Sequence, residues 1–176
     1  MKGVFMSKIQ LMSDEYNPYY QPYIDEVSDL ELLQVLEYNQ DSLISFIKSI
    51  PEDKLHYRYA DGKWTIKEII LHLIDTERVF AYRALCIARN DKSQLPGFDQ
   101  DAFVVYSNAN DRTIDSLLLE FQDVRKATLS LFATFDDKTL ATKGTANNSV
   151  FSVRAAAFII AGHEKHHLQI IKDRYL

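Results

Sequence analysis

The chain has 176 residues, 47% of them apolar, and a formal net charge of -5. That length and apolar content allow one domain with a sizeable core, and the acidic balance argues against a nucleic-acid or anionic-membrane surface. Cys86 is the only cysteine, which excludes an intrachain disulfide and suits a reducing cytoplasm. Residues 1–27, rich in Tyr, Pro, Asn and Asp, form an arm that is expected to be extended or turn-like and laid over the body by its tyrosines. Residues 1–13 lack the apolar run of a secretory signal, and no window approaches the ~20 apolar residues of a membrane span.

Residues 28–176 read as one helical domain. The first helix, near Asp29 to Ile50, carries Leu33, Leu36, Leu43, Ile44, Ile47 and Ile50 at three-four spacing and is ended by Pro51. The second starts at Thr65, where Thr65-x-x-Glu68 forms a capping-box signature, and runs to about Arg89. Within it Cys86, in Ala84-Leu85-Cys86-Ile87-Ala88, reads as a small buried hydrophobe and not as a nucleophile. A long connection follows, Asn90 to Arg112, containing Pro96-Gly97-Phe98. The third helix spans Thr113 to about Phe135. After a polar loop, Lys143 to Asn148, the fourth opens near Ser152 and continues to Asp173. No strand alternation is evident. The fold class is therefore all-α: a four-helix bundle with an N-terminal extended arm and a long connection between the second and third helices, which hints at a topology other than the simplest up-down one.

The fourth helix carries the chemistry. His163 and His167 stand at i and i+4, one turn apart on one face, within reach of a single transition-metal ion. His163-Glu164-x-x-His167 is also the string found in zinc peptidases, but Ile170 and Asp173 stand where a metzincin has Gly and His. Few residues follow His167, so a third ligand is expected from earlier in the chain. At ~100° per residue the two histidines lie mid-stripe among Ala156, Ile160 and Ile170, and His166 lies at the stripe's edge. A buried polar group without a partner costs ~1–3 kcal/mol, so core histidines need one. His72, in Ile69-Ile70-Leu71-His72-Leu73-Ile74, points a third imidazole into the bundle from the second helix. One core histidine is ordinary; a pair plus a third from another helix favours metal ligation by His72, His163 and His167. Imidazoles suit Zn, Ni or a similar ion, and three protein ligands leave a position for water or substrate. Asp75, Glu68 and Glu164 are carboxylates near these histidines, each able to orient a ligand or accept a proton, and each equally readable as a solvated charge. His56 reads as surface or pocket-rim.

Asp61-Gly62-Lys63-Trp64-Thr65-Ile66-Lys67-Glu68-Ile69-Ile70-x-His72-Leu73-x-Asp75-x-Glu77 resembles the first signature of the DinB-like superfamily. Ala161-Gly162-His163-Glu164-x-x-His167-Leu168-x-Ile170 resembles its second, and Leu95-Pro96-Gly97-Phe98-Asp99-Gln100-Asp101-Ala102 is similar to one branch. The resemblance implies a four-helix bundle holding one divalent metal through His72, His163 and His167. It also implies a homodimer and, in characterised relatives, use of bacillithiol, mycothiol or glutathione. On that basis the chain is expected to be a metal-dependent enzyme of small molecules, first a thiol S-transferase with a low-molecular-weight thiol cosubstrate. The alternatives are a metal-dependent hydrolase, or a non-catalytic metal-stabilised stress-response or binding protein. Asp75 is expected to be the catalytic group. Trp64, Tyr57, Tyr59 and Phe98 are expected to line the substrate site, with His166 and Glu164 behind the ligands. Metal affinity is expected to fall below pH ~6.5 as the imidazoles protonate.

Overall fold

The computed structural model describes residues 11–27 and 32–176. The arm's first ten residues and the expected start of the first helix, Asp29 to Glu31, lie outside them. Four long helices appear: α2 Leu32–Lys48, α3 Ile66–Ala88, α5 Ile114–Phe132 and α7 Val153–Arg174. Around them stand three short ones, α1 Gln21–Asp25, α4 Gln100–Val105 and α6 Asp137–Leu140. Three of the long helices start on a side chain that caps the first turn. Thr65 and Glu68 exchange the reciprocal hydrogen bonds of a capping box, and Thr113 and Ser152 accept from Ser116 N and Ala155 N. Among the described residues no helix is long and apolar enough to cross a membrane.

α2 packs against α5 and α7, and α3 packs against the same two, so α2 and α3 sit diagonally across the bundle. Two apolar clusters fix the directions. Leu36, Phe80, Phe132 and Phe158 belong to one, and Leu43, Ile70, Leu117 and Leu168 to the other. Hence α2 and α7 run one way, and α3 and α5 the other. Parallel neighbours such as α3 and α5 require the chain to travel back along the whole bundle, ~35 Å for a helix of this length. This is the physical reason for the long connection. Its chain is structured by α4 and by a 3-10 turn at Ala109–Asp111.

Between the two clusters runs a polar belt. It comprises Asn39 on α2, His72, Thr76 and Glu77 on α3, Arg125 on α5, and His163 and Glu164 on α7, all buried. Asn39 donates to the Ala161 carbonyl at 3.2 Å. Cys86 is buried in the first cluster, as its apolar context predicts.

Two sequence expectations are corrected. The polar loop is a β-hairpin, β1 Lys143–Ala146 paired antiparallel with β2 Ser149–Ser152. Asn147 and Asn148 both take positive φ (49° and 59°) in its two-residue turn, which asparagine tolerates and a type I′ turn requires. The strands are short, and Leu95 pairs with Ala146 from the long connection, so the hairpin is stabilised by a non-local contact that alternation does not reveal. The arm is not simply extended, either. It makes a 3-10 turn at Pro18–Tyr20 and then α1, which packs on α7. Buried Glu15 accepts hydrogen bonds from Ser152 and Arg154, and Tyr20 packs edge-on against Phe80.

Candidate metal centre

His72 projects from α3 and His163 and His167 from consecutive turns of α7, and their Nε2 atoms converge. His163 Nε2 lies 3.1 Å from His72 Nε2 and 3.0 Å from His167 Nε2. Ligands bonded at ~2.1 Å to one ion, with angles of ~90–110° between them, are ~3.0–3.4 Å apart, so the spacing fits a shared metal. The chemistry of the donor set fits it too. Neutral imidazoles facing one another hold more lone pairs than there are protons to share between them, and a divalent cation satisfies all of them. With Nε2 as ligand, Nδ1 carries the proton: that of His72 points to Thr76 Oγ1 at a loose 3.5 Å, while His167 Nδ1 is buried without a hydrogen-bond partner. Among the described residues these three are the only group of histidine, cysteine or carboxylate donors so arranged.

Aromatic rings fence the cluster. Trp64 is tilted over His72 at 4.7 Å between centroids, and Tyr23 stands edge-on to His163 at 5.3 Å. Burial pushes His72 down to about 4 and His167 to about 3, and holds His163 well below the ordinary imidazole range, where its neighbouring imidazoles add to the effect. All three are therefore neutral, the form that binds metal. A cavity of about 330 Å³ opens at His163, with Phe98 in its wall. Another of about 200 Å³ lies at His167, lined by Trp64 and Tyr59.

The other residues singled out in the sequence are dispersed. Tyr57 is exposed, packs on Tyr175 and lines neither cavity. Asp75 faces away from the histidines: its carboxylate lies 3.6 Å from Arg78, in a groove with Tyr106, Arg112 and Glu120, and burial raises its pKa. Glu68 is consumed by the capping box, Arg58 and Asn110. His166 is exposed, its ring 5.5 Å from that of His167. His56 is exposed and meets Lys67 Nζ at 3.2 Å. Glu164 is buried but turns to Arg125, which donates to it at 2.5 Å and grips both oxygens of Glu77 at 2.9 Å. Two carboxylates and one guanidinium leave this buried group formally at minus one beside His163, a field that favours a cation. Arg125 escaped the sequence reading, although it sits four residues after Phe121 inside the third helix's apolar stripe, the same signal that exposed the histidines.

Gly162 is where the arm meets the site. A Cβ there would lie 1.8 Å from the Tyr23 carbonyl oxygen and 2.4 Å from its carbon, backbone atoms with no rotamer to escape into. Gly162→Ala is expected to lift α1 and Tyr23 from α7. The net destabilisation, about 1–3 kcal/mol, outweighs alanine's advantage in helix propensity. Limited proteolysis mapped to residues 11–27 and a urea midpoint measure it; unchanged resistance and midpoint would contradict so close an approach.

Fold and site together define a four-helix-bundle protein with a three-histidine cluster suited to one divalent metal. A family model described as the DinB superfamily matches residues 36–171, and the chain belongs to that superfamily. It is 25% identical over 144 residues, 81% of this chain and 82% of the relative, to a protein of Oceanobacillus iheyensis provisionally named a metal-dependent hydrolase. A Geobacillus thermodenitrificans protein with the same provisional name is 26% identical over 131 residues, 72% of each chain. Among solved structures, YfiT from Bacillus subtilis, described as a probable metal-dependent hydrolase with an unusual four-helix bundle topology, aligns with a TM-score of 0.72 at 18% identity. The match covers 93% of this chain and 91% of that one. This likeness speaks to the fold.

Proposed function

We propose that this protein is a metal-dependent hydrolase of small organic molecules. The observation that carries the reading is the convergence of three Nε2 atoms, with no fourth protein donor among the described residues, in a cluster whose His163 lines a cavity large enough for a small substrate. A divalent ion held there supplies Lewis acidity, which makes water nucleophilic near neutral pH and polarises the group under attack. The chain's own part is to keep His72, His163 and His167 neutral by burial, to exclude bulk water with Trp64 and Tyr23, and to set a net negative group behind His163. A structural, non-catalytic metal would want a closed shell, yet Asp75 and Glu68 have other partners and His166 is turned outward. The hydrolase names of the relatives agree with this reading. A thiol S-transferase has no such support, since no residue set in either cavity selects a thiol.

The test is zinc- or nickel-loaded protein with 4-nitrophenyl acetate and related activated esters, without any thiol. Expected are turnover and its loss, together with the metal, in His163→Ala. No turnover without thiol, combined with accelerated conjugation of glutathione to monochlorobimane, would replace the hydrolase by the transferase.

A further inference from the structure

Arg83 is 3% exposed, yet among the described residues no carboxylate lies within ion-pair distance of it. Its Nη2 donates to the Pro96 carbonyl at 2.8 Å, its guanidinium stacks 5.0 Å from the Phe80 ring, and its Nε is buried with no partner at all. A buried cation without a counter-charge is costly, and natural proteins pair such groups. Arg125, also buried, has two carboxylates; Arg83 has the neutral hydroxyl of Tyr20 and a cavity. It lines the space of about 330 Å³ that also reaches His163, in company with Tyr20, Tyr23, Phe80 and Phe98. His72, Thr76, Phe80 and Arg83 follow one face of α3, so Arg83 stands about three turns, ~16 Å of rise, from His72. Its side chain leans back toward the histidines, as side chains on a helix do.

We propose that Arg83 is the anchor for the anionic group of the substrate: a carboxylate or phosphate at one end of an elongated, partly aromatic molecule whose other end reaches the histidine cluster. The planar guanidinium offers unpaired N–H donors suited to an oxyanion, and the four aromatic rings accommodate an apolar middle. This deepens the hydrolase reading, but equilibrium binding tests it separately from turnover.

The probes are 4-phenylbutyrate, 4-phenylbutyl phosphate and the neutral 4-phenylbutanamide, titrated calorimetrically into the full chain, zinc-loaded and zinc-stripped. Wild type is expected to bind at least one of the two acids ten-fold or more tighter than the amide in both states, and the tighter acid identifies the oxyanion. Arg83→Gln should lose that preference and leave amide binding within two-fold; Arg83→Lys, which keeps the charge but not the fork, should fall between. A preference that vanishes on stripping zinc would assign the anion to the metal and overturn the proposal. So would an equal loss for all three probes, which would make Arg83 a packing residue, or no loss in Arg83→Gln. Should Arg83→Gln fail to fold, the wild-type comparison decides alone: acids and amide bound equally would end the proposal.

Discussion

Arg125→Met is expected to destabilise the protein by about 3–5 kcal/mol at neutral pH, the cost of breaking a buried ion pair by removing one partner. Arg125 is fully buried, and besides its two carboxylates it donates to the Leu36 carbonyl at 2.6 Å. Without it Glu77 and Glu164 face each other in an apolar interior. Burial already lifts Glu164 to about 6, even with the guanidinium attached. A carboxylate whose folded-state pKa exceeds its unfolded value weakens the fold at pH values above both. As pH falls through the raised value the native state takes up a proton and the penalty disappears. Removing Arg125 takes away the guanidinium that holds Glu164 down, so the deficit of the variant relative to wild type should shrink between pH 7.5 and pH 5. Urea denaturation of both proteins at both pH values measures this. A deficit of equal size at both would point instead to lost packing against Phe121. Replacing Glu77 and Glu164 by Met in the same variant should recover more than half of the loss, because an apolar trio of similar volume has no charge to strand.

The four long helices were legible because each buries one stripe, and a stripe leaves a period in the sequence. Thr65, Thr113 and Ser152 were legible as starts because capping is local chemistry. The histidine cluster was legible for the same reason, with three polar residues placed where the period demands apolar ones. The splitting of the aromatic residues was not: Phe98 shares one cavity with His163 while Tyr59 and Trp64 share another with His167, and this depends on how two loops cross the bundle. Nor was the direction of Asp75, which stands ~60° round α3 from His72, at the edge of the stripe, and is turned outward by Arg78 and a groove that other elements complete. The hairpin and α4 were missed because segments of four to six residues are too short to show a strand or helix period, and they are held by Leu95 pairing with Ala146 and by Asp99 capping Gln100–Val105. Arg83 carries no sequence signal beyond a charge on a helix; only the missing counter-charge marks it.

Acid is expected to unfold the metal-stripped protein between about pH 6.5 and pH 4, while its cluster imidazoles are still neutral in the native state. In the unfolded chain a histidine titrates near 6.5; in the fold His72 is pushed down to about 4 and His167 to about 3. Above pH 6.5 both states are neutral there and these groups contribute nothing to the pH dependence. Below it the unfolded chain accepts protons that the native state refuses, so stability falls as pH falls, by up to ~1.4 kcal/mol per pH unit for each histidine. For His72 alone this reaches about 3 kcal/mol by pH 4. Glu164 acts in the opposite sense between about 6 and 4.5, one proton against three. The same burial revises the threshold expected from free imidazoles, because ligands held neutral do not surrender a metal at pH 6.5. An ion that binds only the native state moves the acid transition downward, and its release should coincide with unfolding. Circular dichroism and metal content, followed together through an acid titration of stripped protein, zinc-loaded protein and His163→Ala, test this. The stripped wild type should show the steepest acid limb and His163→Ala a shallower one. Zinc lost near pH 6 from a protein still folded would mean that the imidazoles titrate as free ones and that burial does not govern this cluster.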